Sequence, residues 1–233
     1  MKISVIGLPE ITPGKHNIKD PRLDQVDSIT KAKKKTYIQV EVVGEDAAID
    51  AGAILVAKDS ASDLILKDLE FVETRLSRSS EEAEKALLNK LKNFLEKEQF
   101  IYSAELTSEE KQVLVKYGLF TAKPVIVAAQ ADLEDKNTLL AKVLKESGFI
   151  SFFTTGEKDT RAWLIKNGEN AWEASGAIHS DIQQGFIRAE IISFKDFMEC
   201  GGENQAKQAG KMRLEQKDYI MQDCDLANFR FNK

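Results

Sequence analysis

Glycine and aspartate punctuate the last third of this chain, Phe149 to Asn232, and separate short strand-like runs at Phe186–Phe194, Tyr219–Gln222 and Phe229–Phe231. Helix-compatible pieces lie between those runs. Short strands alternating with short helices over roughly 85 residues predict a small α+β domain, large enough to fold alone. At its centre stands Gly176-Ala-Ile-His-Ser-Asp-Ile-Gln-Gln-Gly-Phe-Ile-Arg-Ala-Glu-Ile-Ile-Ser-Phe-Lys-Asp-Phe197.

The full length of 233 residues sets an expectation of one or two domains. Hydrophobic content of 42% and charged content of 30% are ordinary for a soluble globular protein. No apolar run approaches the ~18–20 residues that span a bilayer, so no membrane partner is expected. Met1–Gly7 reads as a buried strand entering a turn rather than as a leader peptide. Cys200 and Cys224 carry no paired-cysteine motif, which predicts two reduced thiols, no metal site and a cytoplasmic protein. The net charge of −5 argues against a surface devoted wholly to nucleic acid but allows a local basic face. Lys31, Lys33, Lys34 and Lys35 form the densest positive run, read either as a solvated loop or as a nucleic-acid contact.

Three stretches carry a resemblance: Ile150–Trp163 (ISFFTTGEKDTRAW), Gly176–Phe197, and Ala206–Asn232 (AKQAGKMRLEQKDYIMQDCDLANFRFN). They resemble the TGS domain at the C-terminus of the YchF (Obg-like) P-loop ATPases, densely across 147–233. The resemblance implies an α/β chain with two domains. Residues 1–146 would hold an abbreviated P-loop-NTPase-like parallel sheet with a helical hairpin at 63–99. Residues 147–233 would form a β-grasp (ubiquitin-like) TGS domain.

Against the family's motifs the N-terminal part departs in three places. After the strand at Lys2–Gly7 comes Gly7-Leu-Pro-Glu-Ile-Thr-Pro-Gly14-Lys15-His16, where the family has Gly-Leu-Pro-Asn-Val-Gly-Lys-Ser/Thr. A phosphate loop needs four residues between its glycines so that backbone N–H groups converge, and a hydroxyl after the lysine to hold Mg²⁺. Six residues separate Gly7 from Gly14, Pro13 lacks an N–H, and His16 stands at the hydroxyl position. The bland reading is a strand-to-helix loop that keeps its glycines for turning. Gly44-Glu-Asp-Ala47 follows the strand Tyr37–Val43, where the family's metal-binding Asp-x-x-Gly would be. Gln130-Ala-Asp-Leu133 follows the strand Pro124–Gln130, where the family's base-selecting Asn-x-x-Glu would be. Candidate nucleotide contacts are therefore Gly7, Gly14, Lys15 and Gln130. No catalytic residue is assigned and no cofactor is expected, with ATP or GTP and Mg²⁺ as the alternative.

Asp20-Pro-Arg-Leu-Asp24 matches a family segment, and Leu23, Val26 and Ile29 predict a short helix. Asp63–Arg78, capped by Ser62 or Asp63, would bury Leu66, Leu69, Val72 and Leu76. Glu81–Gln99 would bury Ala83, Leu87, Leu88, Leu91, Phe94 and Leu95, completing an antiparallel pair. Thr107 or Ser108 caps a further helix.

In the C-terminal domain the main helix is expected near Ala171–Ile178, with His179 at a helix end and Trp163 and Trp172 in the core or at a sheet edge. Gln216 and Cys224 stand where the family has turn glycines. Arg188, on a strand with its side chain opposite Ile187, would join Lys195, Lys207, Lys211 and Arg213 in a basic face. Arg188, Lys211 and Arg213 are the candidate contacts to RNA or a partner. Three readings follow: a non-catalytic module on a ribosome or RNA, a residual nucleotide-binding enzyme, and a protein–protein adaptor.

Overall fold

The computed structural model describes residues 1–232; Lys233, the last residue of the expected C-terminal domain, lies outside them. The first half of the chain forms β1 (Lys2–Ile6), β2 (Gly14–Ile18), α1 (Pro21–Thr30), β3 (Lys35–Thr36), β4 (Ile38–Val43), β5 (Ala53–Ala57), α2 (Ala61–Arg78), α3 (Glu82–Leu95) and α4 (Ser108–Tyr117). Then come β6 (Val125–Ala128), α5 (Lys136–Glu146), β7 (Phe149–Thr154), β8 (Thr160–Lys166), α6 (Ala171–Ile178) and α7 (Ser180–Gln184). The chain closes with β9 (Phe186–Ile192), α8 (Phe194–Cys200), α9 (Glu203–Gln208), β10 (Arg213–Glu215) and β11 (Leu226–Phe231). Two compact units result: residues 1–16 with 40–147, and residues 17–39 with those from 148 onward.

The first unit is built on a five-stranded sheet in the order β2-β4-β1-β5-β6, in which β4 and β5 run parallel to β1 and β6 parallel to β5. Its interior strand β5 is an unbroken apolar run with Ala53, Ile54, Leu55 and Val56 all fully buried, as a parallel strand covered on both faces requires. α2 and α3 form the expected hairpin around Val72, Leu87, Leu88, Leu91 and Leu95. The phase of α2 differs from the expected stripe. Leu64, Ile65, Asp68 and Val72 point inward, Leu69 and Leu76 pack at the margin, and Leu66 is 61% exposed. Ser60 occupies the cap position expected for Ser62 or Asp63, and Ala83 is exposed. α4 starts on a capping box: Glu110 N donates to Thr107 Oγ1 at 3.2 Å, and Thr107 N donates to Glu110 Oε2 at 2.7 Å.

The second unit holds a six-stranded sheet in the order β10-β9-β11-β7-β8-β3. β7 and β8 form an antiparallel hairpin, β11 lies parallel beside β7, and β9 pairs antiparallel with both β11 and β10. α6 lays Ala171 and Ala174 on a core of Phe152, Ile165, Ala189, Ile191, Ala227 and Phe229. Side chains alternate along β8, so Thr160 faces away from Trp163 and Ile165. On that opposite side Thr160 Oγ1 hydrogen-bonds Thr30 Oγ1 of α1 at 2.8 Å, while Leu23 and Val26 of α1 are fully buried.

This corrects the domain assignment, because residues 17–39 belong by contact to the second unit although sequence order places them in the first. Arg22 Nη1 reaches Asp223 Oδ2 at 2.6 Å, and β3 pairs with β8. The strand expected over Tyr37–Val43 is β4, and just before it the two-residue β3 (Lys35–Thr36) pairs with β8 in the other sheet. The expected strand at Tyr219–Gln222 reduces to one bridge, Asn170 with Ile220, and the edge strand of this sheet is β10.

Candidate functional site

In open parallel sheets ligands sit beyond the carboxyl ends of the strands. Here that edge gathers Gly7 after β1, Gly44 to Asp46 after β4, residues 58–60 after β5, and Gln130 after β6. Gly7 adopts φ +71, and a Cβ there would lie 2.5 Å from Ser60 Oγ, so both backbone and space call for glycine. Beyond Gly7 the chain turns, with Ile11 N donating to Leu8 O at 3.1 Å and both side chains buried. Gly14 and Lys15 then open β2, an edge strand, where a strand-to-helix loop is expected. His16 Nε2 hydrogen-bonds Thr12 O at 2.7 Å, which folds the ring back onto the loop. Glu10 and Lys15 are exposed, and Lys15 makes no ion pair among the described residues. Gln130 is exposed at the start of a 3₁₀ turn held by Asp132 Oδ2, which accepts from Ala129 N at 2.9 Å.

The three cations singled out in the second unit do not share one face. Arg213 registers with Ile191 and Leu214 with Glu190, so Arg188, two residues from Glu190, lies on the Leu214 side and Arg213 on the other. Arg213 donates to Glu215 Oε1 at 2.9 Å and to Tyr219 Oη at 2.8 Å. Tyr219 in turn donates to the buried Asp225 at 2.8 Å, and burial together with that bond pushes its phenol up to about 12. Lys211 pairs with Asp196 at 3.0 Å and Lys195 with Glu199 at 3.8 Å. Arg188 is exposed and has no ion pair or side-chain hydrogen bond among the described residues. Glu190, its nearest acidic neighbour in sequence, is taken by Arg230 and by Asn228 Nδ2 at 2.7 Å.

His179 serves a helix end: its Nδ1 accepts from Asp181 N at 3.1 Å, capping α7. Cys224 keeps φ +65 at a turn position the family fills with glycine, and burial pushes its thiol up to about 12. Two features escaped the sequence reading. Asp68, inside α2, accepts from Phe120 N at 3.0 Å, Thr121 N at 2.7 Å and Thr121 Oγ1 at 2.6 Å. A carboxylate four residues before Val72 on the buried stripe was the available signal. Arg161 Cζ sits over the Trp163 ring, 4.0 Å from its centroid, and the spacing of two along a strand was the only hint. Among the described residues no group of three or more His, Cys, Asp or Glu is placed to hold a metal, and no helix is long and apolar enough to cross a membrane.

Comparison with known proteins agrees with this geometry. The family model YchF-GTPase_C, described as a protein of unknown function (DUF933), matches residues 149–232. The Ribosome-binding ATPase YchF of Bacillus subtilis is 32% identical over 235 residues, covering 73% of this chain and 64% of that protein, so the chain spans less than two thirds of its length. The protein of the same name from Pasteurella multocida is 30% identical over 253 residues, covering 81% of this chain and 70% of its own. The solved Schizosaccharomyces pombe YchF GTPase shares the fold, with a TM-score of 0.80 at 18% identity over 99% of this chain and 97% of that one. A matched C-terminal model and identity running along most of a whole relative lead to one conclusion: this chain belongs to the YchF (Obg-like) family.

Proposed function

We propose that this chain is a ribosome- or RNA-associated binding module of the cytoplasm that does not hydrolyse nucleotide. In this reading the second unit is a TGS domain of β-grasp type and makes the contacts. Support for the β-grasp reading comes from a β7–β8 hairpin, a parallel β11 beside β7 and α6 packed across the sheet. Support for the partner comes from the relatives' printed name, ribosome-binding ATPase.

The observation that carries the non-hydrolytic part is β2. A phosphate loop works by presenting consecutive N–H groups at a helix N-terminus, where the dipole also favours anions. Gly14 and Lys15 lead into a strand, so that terminus is missing behind the loop. Glu10 adds a carboxylate to the loop, and His16 offers a ring already bonded to Thr12 in place of a magnesium hydroxyl. These residues do not fit a nucleoside triphosphate with Mg²⁺. Without placed phosphate and metal contacts, most of the charge stabilisation of phosphoryl transfer is lost.

A residual nucleotide site is the second reading, favoured by one observation: Lys15, which follows the loop that begins at Gly7, is exposed and makes no ion pair among the described residues.

The binding reading is tested by co-sedimentation of the whole chain with ribosomes at about 50 and about 200 mM salt, since phosphate contacts weaken steeply with salt. Salt-sensitive pelleting is expected. A chain that stays in the supernatant at both concentrations refutes it.

A further inference from the structure

The chain is acidic overall, yet two turns of the second unit concentrate cations where the structure brings them together. The turn 31–35 and the turn 157–161 are far apart in sequence and hydrogen-bonded in space: Lys33 N donates to Glu157 O at 3.2 Å and Thr160 N to Lys34 O at 2.9 Å. Thr36 Oγ1 adds a bond to Asp159 Oδ1 at 2.9 Å, and Lys35 and Thr36 register with Thr160 and Arg161. The two turns together carry Lys31, Lys33, Lys34, Lys35, Lys158 and Arg161 against Glu157 and Asp159. Lys35 is committed to Asp24 at 2.6 Å and lies 3.9 Å from Asp27. Lys31, Lys33, Lys34 and Lys158 are exposed and form no ion pair among the described residues.

Arg161 differs from the lysines. Its guanidinium carbon sits over the Trp163 ring, 4.0 Å from the centroid, and among the described residues it makes no ion pair or side-chain hydrogen bond, which leaves its N–H donors unpaired. Trp163 is itself fixed, its Nε1 donating to Thr154 Oγ1 at 2.9 Å and its ring stacked on Phe152. A guanidinium presented this way suits bidentate contact with a phosphate, and the mobile ammonium groups around it suit a chain of phosphates.

We infer that the paired turns 31–35 and 157–161, with Arg161 on Trp163, form a docking surface for the phosphodiester backbone of RNA. This rests on the proposed RNA association and names the surface that performs it, separate from Arg188 on β9. The lysines contact phosphates without reading sequence, and Arg161 fixes the register of one of them.

The test uses the whole chain and a fluorescein-labelled single-stranded RNA of mixed sequence, titrated by anisotropy at several salt concentrations. Lys33→Gln/Lys34→Gln changes only exposed side chains; Arg161→Ala removes the stacked cation and Arg161→Lys keeps its charge without the fork. The double variant is expected to bind about 10-fold more weakly and to lower the salt slope by about 1.4, at about 0.7 per lost contact to a single strand. Arg161→Ala is expected to weaken binding several-fold, with Arg161→Lys recovering the slope but only part of the affinity. Thermal melts followed through Trp163 and Trp172 report folding of each variant. If wild type binds and the double variant matches it in affinity and slope, this surface is wrong while the RNA reading stands. A wild type that binds no RNA overturns both. If poly-glutamate displaces the RNA equally well at matched charge, the patch takes an acidic protein and the inference fails.

Discussion

Asp68 offers a sharp test of how the first unit is held together. Its carboxylate is the acceptor for Phe120 N, Thr121 N and Thr121 Oγ1, which lead toward β6, and both Asp68 and Thr121 are essentially inaccessible. Asp68→Ala strands three donors, each costing about 1–3 kcal/mol if left unsatisfied. The loss is offset by removing a buried charge, which burial already disfavours. The net destabilisation is then about 2–4 kcal/mol, or roughly 6–12 °C in Tm at about 3 °C per kcal/mol. Asp68→Asn keeps the shape but turns an NH₂ toward donors, and should cost about 1–2 kcal/mol.

The pH dependence has a defined sign. Burial raises the Asp68 pKa above its ordinary 3.8, so the folded state holds the proton more tightly than the unfolded one. Its contribution to stability is greatest at acid pH and falls as pH rises through the raised value. Asp68→Asn lacks that slope, so the wild-type advantage over Asn should narrow as pH rises above the ordinary carboxylate value. Urea unfolding followed by circular dichroism, with hydrogen exchange at the Phe120 and Thr121 amides, measures both effects. An alanine variant within about 0.5 kcal/mol of wild type, or a gap that widens with pH, refutes the reasoning.

Other outcomes follow from the same structure. Arg188→Ala should weaken ribosome or RNA association if β9 adds to the contact, whereas Lys211→Ala/Arg213→Ala should chiefly lower stability, because those cations already serve Asp196, Glu215 and Tyr219; co-sedimentation beside thermal melts separates the two. Thiol titration of native protein should find Cys200 reactive and Cys224 silent until unfolding, since burial holds the Cys224 thiol up near about 12; rapid labelling of both would contradict the packing. A fragment starting at Gly148 lacks Leu23, Val26 and β3 and should melt without a cooperative transition by circular dichroism, in contrast to the whole chain.

What the sequence made legible was local. The leucines of α3 recur at helical spacing, and Thr107 with Glu110 spells a capping box, so hairpin and helix start could be read from neighbours alone. The stripe of α2 was misread because the leucines at 66, 69 and 76 suggested one phase, while the inward face includes Asp68, whose partners lie some fifty residues on. Tyr37–Val43 shows a strand pattern, but alternation does not say which sheet a strand joins. That β4 pairs with β1 while the adjacent β3 pairs with β8 depends on partners distant in sequence. α1 goes to the second unit through Thr160 and Asp223, contacts that leave no mark within α1 itself. Of the candidate sites, the altered loop was visible in its spacing and its prolines. Its continuation as an edge strand was not, because Gly14–Ile18 is short and polar. The basic face was drawn from charge alone: among the described residues Lys195, Lys211 and Arg213 have acidic partners, whereas Arg188 and Lys207 are exposed and have none.

In the proposed reading, the loop Gly7–His16 of this YchF-family chain cradles no nucleotide. Isothermal titration calorimetry of the whole chain with ATP and with GTP, each with Mg²⁺, tests it most directly. No saturable heat is expected in the micromolar range, and no change on Lys15→Ala. Saturable binding that disappears in Lys15→Ala would show that Gly7–His16 gathers phosphate after all, and would contradict it.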